Sequence, residues 1–151
     1  VNDDEIAIHM RDVERVEWNG NECILHTGSP HIIIENSHPD ALDVVAEGRA
    51  VRYSDRFNAE GINVNFVRLG DGELWMRTYE RGVENETLSC GTGVTAAALS
   101  LAARQPHVRE VKVHTRGGDL KVKLEPTGDG GYHDIWLCGP AQLVFQGTIE
   151  V

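Results

Sequence analysis

The sequence predicts an α+β fold in which a curved, mostly antiparallel sheet wraps around one buried central helix. Three observations carry that reading. Short segments alternate apolar and polar residues and are separated by glycine-rich turns, which is the strand signature. Residues 91–103 form a long helical pattern that is apolar around nearly its whole circumference, so this helix must be enclosed. Its alanines, among them Ala96, Ala97, Ala98, Ala102 and Ala103, leave room for close backbone approach, as when a strongly bent sheet surrounds a single helix.

The chain opens as a meander. Residues 5–10, 13–18 and 22–26 read as strands, with Asn19-Gly20 supplying a sharp hairpin turn. After Gly28-Ser29-Pro30 comes the isoleucine-rich strand 31–35. Ser37-His38-Pro39-Asp40 then announces a short helix, which runs to about Glu47 and is ended by Gly48. Segments 63–69 and 73–80 form a hairpin around Gly70-Asp71-Gly72, with Phe66, Leu74 and Met76 directed inward. Four strands follow the central helix, at 108–114, 119–125, 132–138 and 142–151, with turns at Arg116-Gly117-Gly118 and across residues 127–131.

With 151 residues and 40% hydrophobic content, the chain suffices for one domain or two small lobes with a real core. A formal net charge of −10 offers no basic stripe for a phosphate backbone, which argues against a nucleic-acid partner. No apolar run approaches the ~20 residues of a membrane helix, and no leader pattern is visible. A soluble, cytoplasmic protein is the expectation. The first residue, Val1, is not a methionine, which reads as a piece of something longer.

Cys23, Cys90 and Cys138 are odd in number, far apart and without a C-x-x-C pair, which fits a reducing compartment better than a disulfide framework or zinc ribbon. No histidine spacing suits a metal, and none is expected. Cys90 differs from the other two. It stands where a polar loop gives way to Gly91-Thr92-Gly93 and the long helix. The first N–H groups of a helix lack internal partners and face outward, so an anion or thiolate is favoured there. Cys90 is therefore a candidate acid/base or nucleophile, whereas Cys23 and Cys138 fall within strand patterns as core residues.

The run TYERGVENETLSCGTGVTAAA closely resembles the second cysteine motif of diaminopimelate epimerases, racemases that use no cofactor. TGSPHIII resembles the family's glycine-asparagine-proline-histidine turn, VRYSDRFNAEGINVNFV its asparagine strand, and TRGGDLKVKLE with LCGPAQLVFQGTIEV its closing strands. The likeness spans almost the whole chain in order. It implies the carboxy-terminal half of a two-lobed enzyme, with residues 1–145 as that domain and 146–151 as a tail belonging with the missing amino-terminal lobe. The implied substrate is diaminopimelate, interconverted between its LL and meso forms by one thiolate and one thiol on opposite faces of a carbon. This chain supplies one such cysteine, so the fragment alone is expected to be inactive.

The resemblance also assigns roles. Cys90 is the acid/base, Glu80 tunes it and contacts substrate, and His31 modulates the cysteine of the other lobe. Asn63, Arg81, Gly91 and Thr92 bind substrate, Arg81 by gripping a carboxylate through paired hydrogen bonds. Ser29 stands where the common pattern has a substrate-binding asparagine, so its hydroxyl reaches through water or leaves a weaker contact. The loop before Cys90 is one residue longer than usual. Without the resemblance, Asn63 and Asn65 read as plain turn or edge residues. Competing readings are another racemase of the same fold, such as a proline racemase, or a module that binds amino acids or assembles partners without catalysis. A homodimer is expected if an isolated lobe exposes its cleft face.

Overall fold

In the computed structural model, which describes residues 5–141 and 144–150, every described strand joins one sheet. β1 (Glu5–His9), β2 (Trp18–Asn19), β3 (Glu22–His26) and β4 (Pro30–Glu35) come first. A 3-10 turn at Pro39–Ala41 and helix α1 (Val44–Arg52) lead to β5 (Asn63–Leu69), β6 (Glu73–Glu80) and β7 (Asn85–Thr87). Helix α2 (Gly91–Arg104) and strands β8 (Glu110–Thr115), β9 (Gly118–Pro126) and β10 (Tyr132–Pro140) complete the described elements. The strand order is β1-β10-β9-β8-β6-β5-β4-β3-β2, and β7 pairs with β6. The β4/β5 and β6/β8 pairs are parallel, crossed by α1 and α2 respectively, and the other pairs are antiparallel.

This connectivity forces the sheet to curl. β1 and β2 sit at opposite ends of the strand order, yet only residues 10–17 join them. Eight interstrand steps of about 4.8 Å would separate the edges of a flat sheet by ~38 Å, while nine residue steps reach at most ~31 Å. The strap between the two edges is fastened to the far side by mutual backbone hydrogen bonds between Val13 and Tyr132, at 2.9 and 2.7 Å. Val13 and Val16 are buried along it.

The hollow of the curl holds α2, which packs against strands β3, β4, β5, β6, β8, β9 and β10. Residues Gly93 through Ala102 are all buried. The buried hydroxyls of Thr95 and Ser100 are satisfied within the helix: Thr95 Oγ1 donates to Gly91 O and Ser100 Oγ to Ala97 O. Strand alternation sorts residues between two cores. Ile33, Val67, Leu74 and Met76 face α2, while Ile32, Val64, Phe66 and Tyr79 form a second cluster with Val44 of α1. His31, Asn63, Asn65 and Thr78 fall on the α2 side by the same alternation.

Several sequence expectations need correction. The opening segment is not a meander, because β1 leaves for the far edge and pairs with β10. Residues 13–18 are the strap, with one isolated bridge at Val13 and the short β2 starting at Trp18. Their alternation reflects burial of Val13 and Val16 against the core rather than strand pairing. Gly48 does not end α1, which continues to Arg52. It is the point of contact with the sheet: a Cβ there would lie 2.4 Å from Cβ of Tyr79. The loop before Cys90 contains β7, whose three polar residues carry no strand pattern. Residues 144–150 form no strand, and Val144, Phe145 and Ile149 are exposed; residues 142, 143 and 151 of the expected last strand lie outside the described residues.

Candidate active site

The start of α2 meets the ends of β4, β5 and β6 at one corner of the curl. Cys90 is the N-cap residue, in extended conformation, and makes no side-chain capping bond. No acidic residue occupies the first turn. The leading N–H groups of α2 are thus without the carboxylate or hydroxyl cap that usually satisfies them. Cys90 is partly exposed, unlike Cys23 and Cys138, which are buried. Burial pushes the Cys23 thiol up to about 11 and raises Cys138 as well, so both are held as inert thiols.

Behind the sulfur lies a hydrogen-bonded floor. Cys90 Sγ is 3.5 Å from Thr92 Oγ1, which is 2.9 Å from His31 Nε2 and 3.1 Å from Ser29 Oγ. Ser29 Oγ is also 2.9 Å from His31 Nε2 and accepts from Asn63 Nδ2 at 3.2 Å. The other ring nitrogen, His31 Nδ1, lies 3.1 Å from Asn65 Nδ2. Asn65 is oriented by donating to Ile32 O and accepting from Thr78 Oγ1. His31 is fully buried, and burial, reinforced by nearby His26 and Arg81, lowers it from 6.5 to about 4. It is a neutral ring at physiological pH.

Close approach of α2 to this floor depends on Gly93. A Cβ there would sit 2.8 Å from Asn65 Oδ1 and 3.3 Å from His31 Cε1. Thr27 Oγ1 adds a tie by donating to Thr92 O at 2.7 Å.

Glu80 and Arg81 occupy the end of β6, where Gly82, at φ +92°, turns the chain away. Glu80 accepts from Thr87 Oγ1 at 2.9 Å, so β7 holds its carboxylate. No hydrogen bond joins it to Cys90 among the described residues. Arg81 N donates to Asn63 Oδ1 and Arg81 Nη1 to Glu60 O. Within the loop before Cys90, Glu84 adopts φ 56°, and its carboxylate accepts from Tyr79 Oη and Gly82 N.

Of the residues singled out from sequence, Ser29, His31, Asn63, Thr92 and Cys90 form one connected network, and Arg81 joins it through its backbone. Gly91 opens the helix beside them, whereas Glu80 is bonded elsewhere. Asn65, Thr78 and Thr27 were missed. Asn65 had a signal, since two positions from Asn63 along a strand is the same face; Thr78 and Thr27 had none. Among the described residues no group of three or more His, Cys, Asp or Glu could hold a metal ion, and no helix is long and apolar enough to cross a membrane.

Comparison with known proteins agrees with this architecture. Among solved structures, a probable proline racemase from Agrobacterium radiobacter K84 superimposes over 95% of this chain and 54% of its own, with TM-score 0.64 and 12% identity. A hydroxyproline epimerase from Agrobacterium vitis does so over 91% and 50%, with TM-score 0.64 and 14% identity. At these identities the likeness concerns the fold. In sequence, the chain is 40% identical to a diaminopimelate epimerase of Flavobacterium psychrophilum over 97% of its length, covering 57% of that protein. It is 38% identical to one from Chlorobaculum tepidum over 99% of its length, covering 60%, and 41% identical to one from Methanocella arvoryzae over 84%, covering 43%. The chain thus spans about half the length of these relatives. The family model for diaminopimelate epimerase matches residues 23–144, and the chain belongs to that family.

Proposed function

We propose that this chain is the carboxy-terminal half of a cofactor-independent epimerase that interconverts LL- and meso-diaminopimelate, a step in supplying lysine and cell-wall precursors, with Cys90 as one of two acid/base thiols. The observation that carries the reading is a partly exposed cysteine at the uncapped start of a buried helix, backed by a neutral hydrogen-bonded floor. Inverting a carbon needs proton removal on one face and delivery on the other, which one group cannot do. The second thiol comes from the missing amino-terminal lobe.

In this account Cys90 and its counterpart exchange base and acid roles with reaction direction. The carbanion is stabilised by donors fixed on the substrate carboxylate, and the free N–H groups of Gly91 and Thr92 are suited to that task. Arg81 has guanidinium donors beyond the one on Glu60 O and can take a second carboxylate. Asn63 and Ser29 join the network beside Cys90 as substrate-binding residues, and Glu80 contacts substrate from the end of β6. His31 shapes the site as a neutral ring. The tail from residue 146 belongs with the other lobe; the exposure of Ile149 supports this. In its absence the cleft face favours self-association into a homodimer.

The test is solvent-deuterium incorporation at the substrate α-carbon, measured with this chain and with a chain carrying both lobes. Exchange with inversion by the two-lobe chain, abolished by Cys90→Ala, is expected, with none from the single lobe. Robust epimerisation by the single lobe would overturn the two-thiol account. Calorimetry with diaminopimelate and a simple amino acid separates a substrate-binding half from an assembly module, which should bind neither.

A further inference from the structure

The hydroxyls of Ser29 and Thr92 stand between an imidazole whose hydrogen-bonding role is fixed and a sulfur that, on the reading above, changes its own role in every turnover. The fixed end is Asn65. Its oxygen accepts from Thr78 and its nitrogen donates to Ile32 O, so the nitrogen side faces His31 Nδ1. Nδ1 accepts, and the single ring hydrogen of the neutral imidazole is therefore on Nε2. Nε2 donates toward Thr92 Oγ1 and Ser29 Oγ, each at 2.9 Å, and Asn63 Nδ2 donates to Ser29 Oγ as well. Both hydroxyl oxygens receive donors from below. Their own hydrogens are left to point along the 3.1 Å Ser29–Thr92 contact, or outward, where Thr92 meets Cys90 Sγ at 3.5 Å.

Two hydrogen arrangements satisfy these contacts. In one, the Cys90 S–H donates to Thr92, Thr92 donates to Ser29, and the Ser29 hydrogen turns outward. In the other, Ser29 donates to Thr92 and Thr92 donates to a Cys90 thiolate. Once the sulfur has gained or lost its proton, rotation of two hydroxyls completes the change with no movement of heavy atoms. We propose that Ser29 and Thr92 form a reversible hydroxyl relay that supports Cys90 alternately as thiol and as thiolate, Thr92 bonding the sulfur and Ser29 acting as the positioning residue behind it. When a substrate C–H bond breaks, its proton forms S–H while the electron pair remains on carbon, and the relay turns from donating to accepting. The relay also gives Ser29 a use that a carboxamide could not fill: a carboxamide has one donor end and one acceptor end and cannot reverse, whereas a hydroxyl can. This inference rests on Cys90 being the exchanging group.

The test needs no substrate, so its failure is separable from failure of the epimerase reading, which deuterium exchange reports. Because Cys23 and Cys138 are buried, iodoacetamide alkylation of the native chain followed against pH reports Cys90. The charged or titratable groups around the relay, His31 on β4, His26 on β3, and Glu80 and Arg81 at the end of β6, are unchanged in every variant. Thr92→Val should slow alkylation near neutral pH about tenfold while leaving the alkaline plateau unchanged, because a charge-assisted bond to the thiolate is lost. Thr92→Ser should restore the wild-type profile. Ser29→Ala should slow it about threefold, as an indirect contact does. Ser29→Ala with Thr92→Val should match Thr92→Val alone, since the two act in series. An unshifted Thr92→Val profile, or losses that multiply in the double variant, would overturn the relay. If Thr92→Val does not fold, judged by circular dichroism, Ser29→Ala decides: slowing near neutral pH alone supports the relay, and an unchanged profile refutes it.

Discussion

Two polar networks lie on opposite faces of β6, and they are built for opposite ends. On the α2 side, His31, Asn65, Thr78, Ser29 and Thr92 form a neutral chain that ends at the partly exposed Cys90 sulfur. On the other side, Arg77 forms two parallel bonds to Glu86, each 2.7 Å, and donates to the carbonyls of Pro39 and Leu42. That charged network is closed: it pins the 3-10 turn and β7 to the middle of β6. Neutral hydroxyls can reverse their hydrogen bonds; a guanidinium can only donate. The proposed relay is accordingly made of rotors and amides, and the contact that locks a loop is made of a planar cation and a carboxylate.

The largest effect should come from breaking the closed network at one end. Arg77→Ala leaves Glu86 half-enclosed without its main partner, and loss of one member of a buried pair costs about 3–5 kcal/mol. In a chain of this size that corresponds to a fall in Tm of roughly 10 °C. Replacing both residues, as Arg77→Met with Glu86→Leu, should recover much of the loss, since the ion pair's desolvation is then removed as well. Thermal unfolding checks both variants. An Arg77→Ala loss below about 1 kcal/mol would show that the pair is solvated and closes nothing.

Acid separates the two networks by pH window. His31 has its folded value lowered to about 4 from 6.5, chiefly by burial. Above pH 6.5 the ring is neutral in both states and adds no pH dependence. As pH falls from 6.5 toward 4 the unfolded chain takes up a proton that the folded chain refuses, so stability declines, by about 3 kcal/mol over the window. Glu86 is lowered by its bonds to Arg77, against the opposing effect of burial. Its contribution is present above the ordinary carboxylate range and is lost only as pH falls through the lowered folded value. Urea unfolding at intervals from pH 7 to pH 4 should show the upper slope in the native chain and its loss in His31→Gln. A slope that survives in His31→Gln would assign it elsewhere.

The sequence made the open network far more legible than the closed one. Cys90, Gly91 and Thr92 announce a helix start, and period-two alternation puts His31, Asn63 and Asn65 on one face once strands β4 and β5 are recognised. Eight of the predicted strands and the central helix agree with the structure to within a residue or two. Arg77 and Glu86 give no local sign of their pairing, because it depends on β7, a three-residue strand without an apolar pattern. The path of β1 to the far edge was hidden for a related reason: nearby strands with a good turn favour a meander, and only the unpaired edge of β10 decides otherwise. Gly48 misled because a glycine after a short helical pattern usually ends it, whereas here it admits Tyr79.

The smallest effect concerns how each helix is seated. In an exposed helix, glycine to alanine gains up to about 1 kcal/mol. Both helices here should show the reverse sign, and unequally. At Gly48 the added methyl would meet Cβ of Tyr79, an atom fixed by the β6 backbone, at 2.4 Å. Gly48→Ala should therefore cost about 2–3 kcal/mol, the upper part of the overpacking range. At Gly93 the nearest atom is the Asn65 amide oxygen at 2.8 Å, which can shift at the expense of its bond to Thr78, so about 1–2 kcal/mol is expected. The rates at Cys90 should sort them further: Gly93→Ala disturbs the floor beneath the sulfur and should alter alkylation, while Gly48→Ala acts on the opposite face and should leave it unchanged in the folded chain. If Gly48→Ala altered Cys90 reactivity as strongly as Gly93→Ala, the two faces would be one mechanical unit and the division between a reversible network and a locking one would fail.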